Sequence, residues 1–139
     1  MWGEKRKERK GLCVRPKLSL GMWAFAFGPF SSQPWSFTRI LEFAVNAGYD
    51  GVEVNGFRPH LHPEDYTSHA ARRTLQSELK GFGLGVSGFA PDFTAVPPAI
   101  VDTAQYVEVV KRYADFCHVL GTDTLRVDTV SKPEAQDLI

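Results

Sequence analysis

Seven residues of this 139-residue chain are of the types and in the places to hold a small polar ligand: Trp23, Glu53, His60, His62, Phe89, Arg126 and Asp128. Glu53 lies in Gly51-Val-Glu-Val-Asn55 and Arg126 in Thr124-Leu-Arg-Val-Asp128, each a charged member of an alternating apolar run. If both runs are strands, alternation turns Glu53 and Arg126 to the same kind of face. Opposite charges inside a fold are costly unless paired or used. Used, the carboxylate binds sugar hydroxyls and the guanidinium binds a carboxylate, a phosphate or an oxyanion. Merely paired, they fill an interior. His60-Leu-His62, followed by Glu64 and Asp65, offers two imidazoles and two carboxylates, types suited to zinc or manganese. The spacing fixes no third ligand, so a solvated loop, or a single histidine touching substrate, is the plainer reading. Trp23, Phe89 and Asp128 are read as strand-end residues facing the same pocket. His69 and His118 fall on expected helices, as surface or packing residues.

The elements that must position these residues repeat. Three times a helix-like stretch ends at a glycine and passes into a short apolar strand: Asn46-Ala-Gly-Tyr-Asp-Gly-Val-Glu-Val54, Gly81-Phe-Gly-Leu-Gly-Val-Ser-Gly-Phe89 and Leu120-Gly-Thr-Asp-Thr-Leu-Arg-Val-Asp128. A further strand, Lys17 to Trp23, precedes them, and strand starts at Lys17, Gly51, Leu84 and Thr124 are 34, 33 and 40 residues apart. That is the length of a parallel strand plus its crossover helix.

Helices are expected after Ser36, with Phe37, Ile40, Leu41, Ala44 and Val45 as one stripe; from about Ser68 to Lys80, with Ala71, Leu75 and Leu79; and from Asp102 or Thr103, with Tyr106, Val109, Val110, Tyr113, Cys117 and Leu120. Ser131-Lys-Pro-Glu134 announces a fourth helix.

One strand face reads Leu18, Leu20, Met22; Val52, Val54; Leu84, Val86; Leu125, Val127. The other reads Ser19, Gly21, Trp23; Gly51, Glu53, Asn55; Gly85, Ser87, Phe89; Thr124, Arg126, Asp128. A doubly wound sheet has helices on both sides and two apolar strand faces. A single apolar face points instead to an α/β chain that is part of a (β/α)8 TIM barrel, about four βα units with parallel strands. Eight strands and about 250 residues make such a barrel. The expectation is therefore the N-terminal half of a longer barrel, or a half-barrel that forms a homodimer. A stable monomer in solution would count against both.

Bulk composition narrows the function classes. The content is 43% hydrophobic and 23% charged with zero net charge, which gives no general argument for nucleic acid or an anionic membrane. Five of the sixteen cations fall in residues 1–10, so 1–16 read as a disordered basic N-terminal extension and 17–139 as the half-barrel domain. Basic start, apolar Leu18 to Phe27 and Ala24-Phe-Ala26 mimic a secretory signal, but the apolar run falls where the repeat needs its first strand. No apolar stretch has the length of a membrane span. Two cysteines, Cys13 and Cys117, make no disulfide framework, and a cytoplasmic location is expected. Gly83-x-Gly-x-x-Gly88 is no dinucleotide fingerprint: its glycines precede and occupy the strand, and Ala90-Pro91 follows.

The three junction phrases resemble those of the xylose isomerase-like TIM barrel family, over about residues 17–135. That family includes sugar and sugar-phosphate isomerases and epimerases and the endonuclease IV type of repair enzyme. The resemblance implies a divalent metal (manganese, magnesium, cobalt or zinc) held by carboxylates and histidines, and proton transfer through an enediolate. It also implies that those ligands come mostly from the second half of the barrel, so that no catalytic or metal-binding residue transfers to this chain. Glu53, the histidine loop after it and Arg126 match positions lining the family's pocket. The expected function is thus a sugar or sugar-phosphate isomerase/epimerase, inactive as this half-barrel alone. The alternative is a non-catalytic half-barrel that binds a sugar or a partner. Neutral charge outside the basic start argues against nucleic acid.

Overall fold

The structure is a computed structural model and describes residues 15–93 and 102–127. Three parallel strands, β1 (Ser19–Gly21), β2 (Gly51–Asn55) and β3 (Gly85–Ala90), lie in the order β1-β2-β3. They alternate with three helices, α1 (Phe37–Asn46), α2 (His69–Phe82) and α3 (Thr103–Leu120). Leu125 pairs in parallel with Phe89, so the next segment runs on beside β3. Phe89 N–H donates to the Thr124 carbonyl and Arg126 N–H to that of Phe89, at 2.9 and 2.8 Å. This is the alternating βα pattern of a partial TIM barrel.

Each helix begins where its sequence offers a cap. Ser36, Ser68 and Asp102 side chains accept from Arg39 N–H, Ala71 N–H, and both Ala104 and Gln105 N–H. α2 and α3 end on Gly83 and Gly121 at φ 68° and 72°, a left-handed conformation that glycine adopts without cost. The apolar stripes turn inward: Ile40, Leu41 and Ala44 of α1, Leu75 and Leu79 of α2, and Val109, Tyr113, Cys117 and Leu120 of α3 are all buried. They pack on Val52, Val54 and Phe89, which are fully buried. Val45, expected in the α1 stripe, is exposed, while Phe116, absent from the expected α3 stripe, is buried. His69 and His118 are exposed, as expected.

β1 is shorter than the expected Lys17–Trp23. It ends at Gly21, and Met22–Phe25 form a 3-10 turn that drops Met22 into the core. Leu18, expected on the apolar face, is exposed. Its backbone instead ties β1 to the turn before β2: its N–H donates to Asp50 Oδ2 at 2.8 Å, and its carbonyl accepts from Asp50 N–H.

β3 departs from regular alternation. Gly51 pairs with Gly85 and Val52 with Val86, but Glu53 pairs with Gly88 and Val54 with Phe89, so Ser87 is an extra residue in a β-bulge. One inserted residue reverses the faces of everything after it. Phe89, expected on the polar face, therefore lies on the helix side, edge-on to Tyr113 and Phe116 of α3 at 6.0 and 5.4 Å between ring centres. Asp128, the fourth-helix signal and residues 1–14 lie outside the described residues.

Candidate functional site

The polar side of the sheet is shallow because it is built from glycine and serine. Ser19, Gly51 and Gly85 share one register level, and Gly21, Glu53 and Gly88 the next. At the lower level the strands approach too closely for a side chain: a Cβ on Gly51 would stand 2.5 Å from the Gly85 carbonyl oxygen. Ser19 and Ser87 reach over Gly51 from either side, and their hydroxyl oxygens meet at 2.6 Å.

Glu53 stands at the upper level with a glycine on each side. Its carboxylate receives Arg126 Nη1–H at 3.2 Å, across β3, and both side chains remain partly open to solvent, at 27% and 39%. The two charges that the sequence places in one phase are therefore brought together on one face. The Trp23 indole folds back over Gly21, the register partner of Glu53: a Cβ there would meet indole Nε1 at 2.8 Å. Trp23, Glu53 and Arg126 thus make one open polar patch with an aromatic wall, near the C-terminal ends of the strands, where a barrel carries its chemistry. A carboxylate, a guanidinium and a stacking ring can together accept from hydroxyls, hold an anionic group and cover the apolar face of a sugar ring.

The histidine loop does not join this patch as expected. His60 is 3% exposed, and both ring nitrogens are engaged. Asn55 Oδ1 accepts from Phe57 N–H at 3.1 Å, which leaves Asn55 Nδ2 to donate to His60 Nδ1 at 2.9 Å. His60 Nε2–H then donates to the Trp35 carbonyl at 2.9 Å. Burial pushes the imidazole below its usual range and keeps it neutral; the Trp35 carbonyl opposes this more weakly. His60 is an internal tie between two loops and not a free ligand.

His62 faces away from the patch, into a groove of about 220 Å³ toward α2 and α3 that Arg72, Arg112 and Phe116 also line. Glu64 and Asp65 are engaged by Arg58 at 3.2 and 3.0 Å. The carboxylate of Asp65 is held below its usual range chiefly by that hydrogen bond. Among the described residues no three histidine, cysteine or carboxylate side chains come together as a metal site. The zinc or manganese cluster that the residue types of this loop allow, and that is not their preferred reading, is not assembled, because His60 is turned inward and the acids are tied to Arg58.

Sequence reasoning placed two residues on the polar face without giving either its role. Asn55 is fully buried at the end of β2 and orients His60, and Ser87 forms the bulge. Asn55 carried a signal, since a polar residue closing an apolar strand needs a partner once buried. Ser87 carried none in a run that reads as regular.

No family model matches the chain, and no curated protein is similar to it. Among solved structures it is similar to the probable 3-DHS dehydratase AsbF of Bacillus anthracis, involved in petrobactin synthesis, with a TM-score of 0.58 and 22% identity. The match covers 80% of this chain and 37% of that one, so this chain spans well under half the length of its structural relative. The similarity shows the fold. No helix among the described residues is long and apolar enough to cross a membrane.

Proposed function

We propose that this chain supplies part of the substrate cavity of a sugar or sugar-phosphate isomerase/epimerase of the xylose isomerase-like kind. The observation that carries the reading is the Glu53–Arg126 pair at 3.2 Å, on the polar face of an otherwise apolar-packed sheet. Arg126 holds the phosphate or carboxylate of a substrate, Glu53 accepts from its hydroxyls, and Trp23 covers its ring. The structural relative is named a dehydratase. Dehydration and isomerisation of hydroxy-carbonyl compounds share a first step, loss of a proton next to a carbonyl, so that likeness supports proton-transfer chemistry in general. A divalent metal (manganese, magnesium, cobalt or zinc) would supply Lewis-acid stabilisation in a complete barrel of this kind. The described residues do not fit it.

The test is turnover and binding measured together. With manganese or cobalt and ketose or ketose-phosphate substrates, the chain alone should bind weakly and show no turnover. Clear epimerase activity would refute the incomplete-site reading. Absence of any sugar or sugar-phosphate binding, even at millimolar ligand, would remove the cavity reading. A non-catalytic sugar- or partner-binding half-barrel is the second reading, favoured by the same lack of three convergent ligands among the described residues. Sugar binding with metal-independent affinity and no chemistry in any longer form of the protein would select it.

A further inference from the structure

The buried His60 joins two loops that belong to different βα units. Its acceptor nitrogen is set by Asn55 at the end of β2, and its N–H holds the carbonyl of Trp35, the last residue before the cap of α1. Trp35 N–H in turn donates to the Phe25 carbonyl at 3.1 Å, and the two rings stack at 4.8 Å. That closes 25–35 into a loop with its ends together. Phe27, within this loop, meets Phe57 of the following one edge-on at 5.4 Å. The loop follows directly on Trp23, which walls the Glu53–Arg126 patch.

We propose that neutral His60 is a positioning residue that fastens the 25–35 loop beside the ligand face, and that its protonation releases the loop. A protonated ring carries N–H at both nitrogens. Nδ1–H would then oppose the Asn55 amide N–H. The amide cannot turn to help, because its oxygen is needed by Phe57 N–H. Protonation therefore costs the Asn55 bond outright and leaves a buried charge.

On α1, the Arg39 guanidinium lies 4.0 Å over the Trp35 ring. On β2, Glu53 is paired with Arg126. In the same loop Arg58 is held by Glu64 and Asp65, and His62 stands 3.6 Å from Glu64. The direction of the burial effect on His60 agrees with the geometry: the docked loop is favoured above the ordinary histidine value of 6.5 and is lost as pH falls below it. The proposal rests on the cavity reading only in taking the Glu53–Arg126 side as the ligand side. Its test needs no ligand.

The experiment is a proton–nitrogen NMR titration of the full chain from pH 7.5 to 5, with wild type beside His60→Gln. Glutamine keeps one donor and one acceptor but does not titrate. Wild-type His60 should show the Nε2–H tautomer at pH 7.5. Signals of Phe25, Phe27 and Trp35 should then shift together with its protonation, and the protection of amides across 25–35, relative to their intrinsic exchange rate at each pH, should fall at least about tenfold. His60→Gln should hold the docked signals across the range. An Nδ1–H tautomer in wild type would overturn the proposal. So would loop signals in His60→Gln that move at the wild-type midpoint. Wild-type loop signals that stay in place while His60 protonates would overturn it as well, and that readout holds even if the variant folds poorly.

Discussion

Phe89 tells the two faces of the sheet apart because its ring can pack on only one of them. It is fully buried against Tyr113 and Phe116 of α3. Phe89→Ala should therefore lower stability by about 3–5 kcal/mol in urea unfolding, the range for emptying a large aromatic site in a core. A loss under about 1 kcal/mol would place the ring on the open face. The Glu53–Arg126 pair predicts the opposite pattern. Both side chains are partly solvated, so Glu53→Gln or Arg126→Gln should change stability by no more than about 1 kcal/mol. The same changes should weaken binding of a sugar phosphate about tenfold or more, read by calorimetry. A large stability loss with unchanged binding would make the pair structural.

Elements were legible in the sequence where the chemistry was local. Gly51→Ala tests the part that was not. A methyl group there would press on the Gly85 carbonyl, so β2 and β3 must part, at a cost of about 1–3 kcal/mol. Equal stability would mean that the strands are not so close. The caps at Ser36, Ser68 and Asp102 and the stops at Gly83 and Gly121 depend on residues within a turn of each other, and sequence spacing exposes them. The bulge at Ser87 depends on how β3 meets β2, and the alternation Gly-Val-Ser-Gly-Phe reads as regular without it. The role of His60 was hidden for a like reason. Its partner is the backbone carbonyl of Trp35, and a carbonyl has no sequence signature. Asp50 is an intermediate case. Its carboxylate accepts Leu18 N–H and meets Arg15, and the first of these does most to hold it below the usual 3.8. Its contribution is present above that value and is lost as pH falls below it. Asp50→Asn should flatten the fall in urea midpoint between pH 6 and pH 3. An unchanged slope would remove Asp50 from the account.

At the scale of the whole molecule, the helices cover one side of the sheet and leave the other polar. Fold class was readable because that asymmetry repeats in every strand, so one misread face in β3 did not change the conclusion. The described residues leave Trp23, Phe27, Leu18 and Val127 between 45% and 56% exposed, on or near the strand ends and the β1 edge. Large exposed apolar groups beside an open sheet edge favour association. Sedimentation of the 139-residue chain should show a dimer or larger species. A stable, well-folded monomer would count against the half-barrel reading.

The most direct test of the two-faced sheet is a cross-link over Gly51. The Ser19 and Ser87 hydroxyl oxygens lie 2.6 Å apart on the polar face, although their strands are separated by β2. With the two native cysteines replaced by serine, Ser19→Cys with Ser87→Cys should be bridged by a short bifunctional thiol reagent such as dibromobimane, seen by mass spectrometry of the digested chain, since two strand spacings of about 4.8 Å put the pair beyond direct disulfide reach. Ser19→Cys with Val86→Cys should not, because Val86 points to the helices. Cross-linking through position 86 and none through 87 would invert the faces, and Glu53 and Arg126 could no longer line a cavity.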